Sequence, residues 1–247
     1  MGLLKNVKTT TKVESTVEDD RLGGGRQLLN SDVYNFTIKG FYLDKAASGA
    51  LCAVIDFEDD DGKSMRVTEY FTNKAGENYF TKDNKSHFLP GFLKLDALCI
   101  LVNETPFFEQ EFEDKHVQVY DRELQKEVPQ KREVAVSMLG QQVKAGVIRQ
   151  IVDATKKNET TGKYEPNGET REENIIDKFF HIETEQTLKE AEQGVEGGVF
   201  MQEWLAKYKD QIPNKAKGVA AGSAPVGRTG APAQQGAAPA KKSLFNK

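Results

Sequence analysis

VYNFTIKGFYLDKAASGALCAVIDFEDDDGKSMRVTEYFT, residues 33–72, decides the fold. Its first run, VYNFTIKGFYLD, sets Tyr34, Phe36 and Ile38 against Asn35, Thr37 and Lys39. Alternation with period two sends successive side chains to opposite faces of a sheet, so this is a strand with one apolar face. Gly40 interrupts it and predicts a bulge or a bend. A second strand, GALCAVIDF, covers 49–57. The acidic turn after it contains Asp61-Gly62, a pair that tolerates the positive φ of a tight hairpin. The third strand, KSMRVTEYFT at 63–72, points Met65, Val67 and Phe71 to the core and leaves Arg66, Thr68 and Tyr70 outside. A three-stranded meander therefore opens the domain.

Downstream the period changes. In LPGFLKLDALCILV (89–102), Leu95, Leu98, Cys99 and Val102 fall at i, i+3, i+4 and i+7, one face of a helix. Pro90 sits near its start, where a missing N–H costs nothing. Strand patterns return in HVQVYD (116–121), REVAVSML (132–139) and VKAGVIRQIVDA (143–154), the last with Gly146 as a kink. Three strands, a helix, then further strands is the chain order of a five-stranded OB-fold barrel, with the helix between strands three and four. Closure also removes exposed sheet edges. KKNETTGKYEPNGETREE (156–173) reads as a polar loop, and NIIDKFFHIE after it as a strand or a short helix.

Thr187 and Glu190 form a capping box for a helix at about 187–193. Phe200, Trp204 and Tyr208 recur every fourth residue, beside Met201 and Leu205, in an amphipathic helix stopped by Pro213. That helix either covers the barrel or mediates a homodimer, and Trp204 reads as packing. The chain thus divides into a flexible arm (1–19), an OB-fold domain (20–182), a helical extension (183–212) and a tail of Ala, Gly and Pro (213–247) too poor in apolar residues to fold.

Composition narrows the function. Apolar residues make up 38%, low for a chain of 247 residues that folds throughout. The net charge is −4, unevenly spread: residues 211–247 hold six cations and no acid, which leaves −10 on residues 1–210. An anion-binding surface on the body must then be a local patch. No apolar run approaches the roughly 18 residues of a membrane span, so no membrane partner is expected. MGLLKNVKTTTK has no secretion-signal core, and Asn6 stands where a myristoylation motif needs Ser or Thr. Cys52 and Cys99 lie in apolar segments, outside any CxxC pair, and read as buried thiols of a reducing compartment.

Motifs for chemistry are missing. DDRLGGGRQ (19–27) has neither the Gly-Lys-Ser/Thr ending nor the preceding strand of a P-loop, and reads as a flexible turn. His87, His116 and His181 are not at metal-ligand spacing, and Glu58–Asp61 reads as a solvated hairpin tip. No serine lies in a nucleophile elbow. The expectation is a non-enzyme without metal or cofactor.

One loop departs from this plainness. VTEYFTNKAGENYFTKDNKSHFLPGF (67–92) keeps Tyr79, Phe80 and Phe88 in a polar run beside Lys74, Lys82, Lys85 and His87. Single-stranded nucleic acid offers a charged backbone and flat unpaired bases, and a surface that grips it combines cations with aromatic faces. Lys39, Arg66 and Tyr70 would extend that surface across the outer face of the strands. On this reading Tyr70, Tyr79, Phe80 and Phe88 stack under bases, and Lys39, Arg66, Lys74, Lys82 and Lys85 hold phosphates. The residue pattern equally allows the three rings to cap an open end of the barrel.

A series of short stretches carries a resemblance. They are Asp20-Arg-Leu-Gly-Gly-Gly25, the strand with Tyr34 and Ile38, Ser48-Gly-Ala50, Thr68-Glu-Tyr70, Tyr79-Phe80, Leu89-Pro-Gly-Phe92, Val119-Tyr-Asp121 and Asn174–His181. In that order and spacing, over about residues 20–187, the chain resembles bacteriophage single-stranded DNA-binding proteins. The resemblance implies an OB-fold, sequence-independent binding of single-stranded DNA, and work in phage replication, recombination or repair in the host cytoplasm. Familiar members often end in an acidic tail that recruits replication or recombination proteins. This tail is basic and ends KKSLFNK, so docking would fall to Leu244-Phe245. Competing classes are a strand-annealing recombination protein, a metal-dependent nuclease using scattered acids, and a protein-interaction module that never meets nucleic acid.

Overall fold

The structure, a computed structural model, describes residues 28–121, 124–160, 162 and 164–217. The arm at 1–19, the glycine run at 23–25 and Leu244-Phe245 lie outside the described residues. The fold is mainly β. Strands β1 (Asp32–Lys45), β2 (Leu51–Asp59) and β3 (Ser64–Tyr70) form the expected antiparallel meander. Met65 is buried while Arg66, Thr68 and Tyr70 are exposed, the facing that the alternation predicts. β1 shifts register between Ile38 and Gly40, so the bulge falls at Lys39.

Residues 79–88, which lack a strand pattern in the sequence, form a second sheet. β4 (Tyr79–Lys82) and β5 (Lys85–Phe88) pair around Asp83-Asn84, both at positive φ. This two-residue turn is one that Asx residues enter readily. Each arm is only four residues and exposed throughout, too short to show a period. Helix α1 (Pro90–Asn103) follows with Pro at its first turn. Then come β6 (Phe112–Asp121), β7 (Lys126–Ala135), β8 (Gln142–Lys157), β9 (Tyr164–Phe180), α2 (Leu188–Glu192) and α3 (Val199–Tyr208).

Two more segments differ from the sequence reading. The strand expected to 139 ends at Ala135 and turns into a 3-10 segment, Val136–Met138, that buries Met138. The polar stretch 156–173 is mostly strand: β8 runs on to Lys157 and β9 starts at Tyr164. The residues of β9 from Tyr164 to Glu172 are exposed, so no apolar face marks them as strand.

β3, β2, β1, β7 and β6 form one path through the main sheet, while β8 pairs with β1 and β9. The sheet is open rather than closed. β1 holds it together: its first half pairs with β8 from Asp32↔Val147 to Thr37↔Gln142, and Tyr42 pairs with Val134 of β7. Two compact units emerge. One takes the described residues to Gln150 together with Glu172–Pro213. The other takes Ile151–Arg171 and the residues from Asn214, where Lys215 N–H donates to the Ile151 carbonyl (2.7 Å).

The core of the first unit joins Phe36, Ile38, Phe57 and Met65 of the meander to Leu95, Leu98 and Cys99 of α1. Each such side chain contributes roughly 1.5–3 kcal/mol on burial, which makes α1 a fixed platform. Burial also pushes the Cys99 thiol far up, so it stays protonated. A smaller cluster of Ile148, Phe180, Met201 and Trp204 seats α3 on the sheet. Gly146 lies close under α3: a Cβ there would lie 2.8 Å from the Trp204 ring. Trp204 is buried, and its Nε1–H donates to Asp177 (2.8 Å). The Thr187–Glu190 capping box forms as expected, and Glu190 also accepts from the Phe200 N–H (2.7 Å), tying α2 to α3.

Candidate nucleic-acid interface

Register divides the β4–β5 hairpin into two faces. Tyr79 pairs with Phe88, Phe80 with His87, Thr81 with Ser86 and Lys82 with Lys85. Because side chains alternate, Tyr79, Thr81, Ser86 and Phe88 share one face, and Phe80, Lys82, Lys85 and His87 share the other.

The first face is attached to α1 through one ring, Phe88, which is itself 54% exposed. Phe88 packs on Phe92 (centroids 5.0 Å apart), and Phe92 stacks on Phe108 at 5.1 Å. Phe92 is buried in the core, so this run of rings joins the hairpin to α1. A lone two-stranded hairpin is marginal in water and needs such support. The base is closed by Leu89 N–H donating to the Asn78 carbonyl (2.8 Å) and by Gly91, where a Cβ would meet the Tyr70 carbonyl oxygen at 2.1 Å. Only glycine permits that approach of the helix start to the end of β3.

The second face has no such attachment. Phe80 (42% exposed) and His87 stack at 5.5 Å with their planes 28° apart. Beside them Lys82 and Lys85 stand directly opposite each other. Like charges so placed cost stability. Among the described residues no carboxylate lies within 4 Å of either ammonium. Two exposed rings and two unneutralised cations on one four-residue ribbon suit a flat, anionic chain.

The other expected contacts are scattered. Lys74 is exposed in the 73–77 turn, which Asn73 closes by accepting from the Ala75 and Glu77 N–H groups. Tyr70 is 49% exposed at the foot of the hairpin. Lys39 and Arg66 are committed elsewhere. The Lys39 ammonium is 2.9 Å from Glu58, and Arg66 grips Asp56 through Nε (2.6 Å) and Nη2 (3.1 Å). That hydrogen bonding raises the Arg66 pKa further. On the same side of the meander, Tyr42 and Val54 are covered by Val117 and Val119 of β6, and burial raises the Tyr42 phenol. The outer strand face is thus salt-bridged and partly roofed.

Two residues to which the sequence reading gave no contact role are brought in by the structure. His87 enters because register sets it opposite Phe80, a relation invisible until the turn is fixed at Asp83-Asn84. Phe108, 62% exposed at the far end of the ring run, belongs to a 3-10 turn that carries no sequence period. Its one signal was the Phe107-Phe108 doublet after Pro106.

Compared with protein-family models and with curated proteins, the sequence finds no match. The described residues contain no helix long and apolar enough to cross a membrane and no group of three or more metal-ligating side chains.

Proposed function

We propose that this chain is a non-enzymatic, sequence-independent binder of single-stranded DNA, and that the β4–β5 hairpin is its primary contact. One observation carries the reading: the free face of that hairpin sets Phe80 and His87 beside Lys82 and Lys85, with no carboxylate of the described residues within 4 Å of the lysines. Bases stack on the rings, and each stacked base contributes about 1–3 kcal/mol. The lysines neutralise phosphates and release counterions. Lys74 extends the positive edge, and Tyr70 lies at the foot. Phe88 ties the hairpin to Phe92 of α1, while Lys39 and Arg66 are held in ion pairs on the sheet.

An OB-type architecture is part of the proposal. Its support is the meander, the bulge at Lys39 that lets β1 pair with β2 along most of its length and with β8 at its start, and the helix that follows the third strand. The resemblance to phage single-stranded DNA-binding proteins supplies the setting: replication, recombination or repair in a bacterial host, with Leu244-Phe245 recruiting partner proteins.

The test is fluorescence anisotropy with labelled poly(dT) beside duplex DNA of equal length, across a salt series. Binding confined to the single strand and weakening as salt rises is the expected result. Equal affinity for duplex, or no binding at low salt, overturns the proposal.

A further inference from the structure

A groove of about 580 Å³ opens between α1, the end of β9 and the α2–α3 segment. It has the volume of a ligand pocket. The apolar part of its lining comes from Leu93 and Ala97 of α1, Phe179 of β9, Leu188 of α2 and Phe200 of α3. Leu93 is 52% exposed and Phe200 36%, and Val199 beside Phe200 is 51% exposed. An apolar strip therefore runs out of the groove onto open surface, where a soluble chain rarely leaves one without use.

The charges around it fall into two sets. The inner ones are satisfied: the Lys94 ammonium donates to Glu69 (2.8 Å) and to the Ile176 carbonyl (2.9 Å), while Asp177 accepts from Trp204. At the rim, Lys178 and Lys189 have no carboxylate within 4 Å among the described residues. One acid, Glu192, completes the lining a turn beyond Lys189. Two unpaired cations face one acid here, although residues 1–210 carry −10.

We infer that this groove docks an acidic, amphipathic segment of a partner protein. Leu or Phe side chains spaced to share one face of the segment would fill the space between Leu93 and Phe200, and flanking Asp or Glu would pair with Lys178 and Lys189. The apolar contacts supply affinity, and the lysines select the sign of the partner. The groove shares no residue with the free face of the β4–β5 hairpin, so this inference is independent of the DNA-binding proposal.

The test uses a displayed library of random peptides, selected on the full chain and counter-selected on the L93D/F200D variant. Enriched peptides should combine Leu or Phe with Asp or Glu. By anisotropy they should bind L93D/F200D and K178E/K189E about tenfold more weakly than the parent. Lys-for-acid versions of the same peptides should prefer K178E/K189E. Affinity for poly(dT) should not change with L93D/F200D, so failure here and failure of DNA binding are separable. Should L93D/F200D not fold, K178E/K189E alone carries the charge test. No enrichment, enrichment of basic peptides, or indifference to K178E/K189E overturns the inference. So does a concentration-dependent dimer in sedimentation that L93D/F200D abolishes, since the occupant is then a second copy of this chain.

Discussion

On the outer face of the meander, Lys39 lies 2.9 Å from Glu58, and Arg66 holds Asp56 with two hydrogen bonds. On the hairpin after β3, Lys82 and Lys85 face each other, and among the described residues no carboxylate lies within 4 Å of either. Both places set cations near aromatic rings: Tyr42 and Tyr70 in the first, Phe80 and His87 in the second. In the first, strand register supplies each cation with an acid across the sheet, and β6 roofs part of the surface. In the second, register pairs like charges and leaves the rings open. Residue type alone does not make a binding surface; what counts is whether the fold has already provided the counter-charge.

This contrast can be broken in graded steps. The largest effect should come from Gly91→Ala, which forces a Cβ onto the Tyr70 carbonyl at the foot of the hairpin. A backbone atom cannot yield as a side chain does, so the loss should be about 3 kcal/mol, read as a lower denaturant midpoint. Wild-type stability would mean that the foot is not closed there.

Next, Phe80→Ala with His87→Ala should weaken poly(dT) binding by about 1–3 kcal/mol for each base that loses its platform, with the thermal midpoint unmoved. Phe88→Ala is the sharpening control. It removes the contact to Phe92, so the thermal midpoint should fall as well. If the two variants behave alike, the division of the hairpin into faces is wrong.

Much of the fold was legible in the sequence where apolar residues recur at the spacing of a strand or a helix. The start of β1 and β3 show period two, α1 shows a helical face at Leu95, Leu98 and Cys99, and the capping box marks α2. Where both faces of a strand are wet, as in β4, β5 and the early part of β9, no period exists to be read. The candidate site was legible by composition, since Tyr79, Phe80, Lys82 and Lys85 stand out in a polar run. Its division into anchor and open face was not, because that depends on a turn at Asp83-Asn84 that fixes register only in three dimensions. The ion pairs of Lys39 and Arg66 were not legible for a related reason: their partners Glu58 and Asp56 lie on the neighbouring strand.

Smaller effects should follow from the charges. Lys82→Ala with Lys85→Ala should reduce the slope of log K against log salt by about 1.4 for single strands, if each lysine neutralises one phosphate. The same variant should be no less stable than the parent, since it relieves a like-charge pair. Least of all, Lys39→Ala with Arg66→Ala should leave affinity for poly(dT) within about twofold and the salt slope unchanged. The stability cost should be on the order of 1 kcal/mol or less for each exposed ion pair. A salt slope that falls as far as in the hairpin variant would return the outer strand face to the binding surface.

The most direct measurement is ultraviolet cross-linking of the full chain to oligo(dT), with the linked residues located by mass spectrometry. The account predicts adducts on the 79–88 peptide, centred on Phe80 and His87, and their loss when competitor poly(dT) is added. Adducts confined to β1–β3 around Lys39 and Arg66, with the hairpin unmarked, would contradict it.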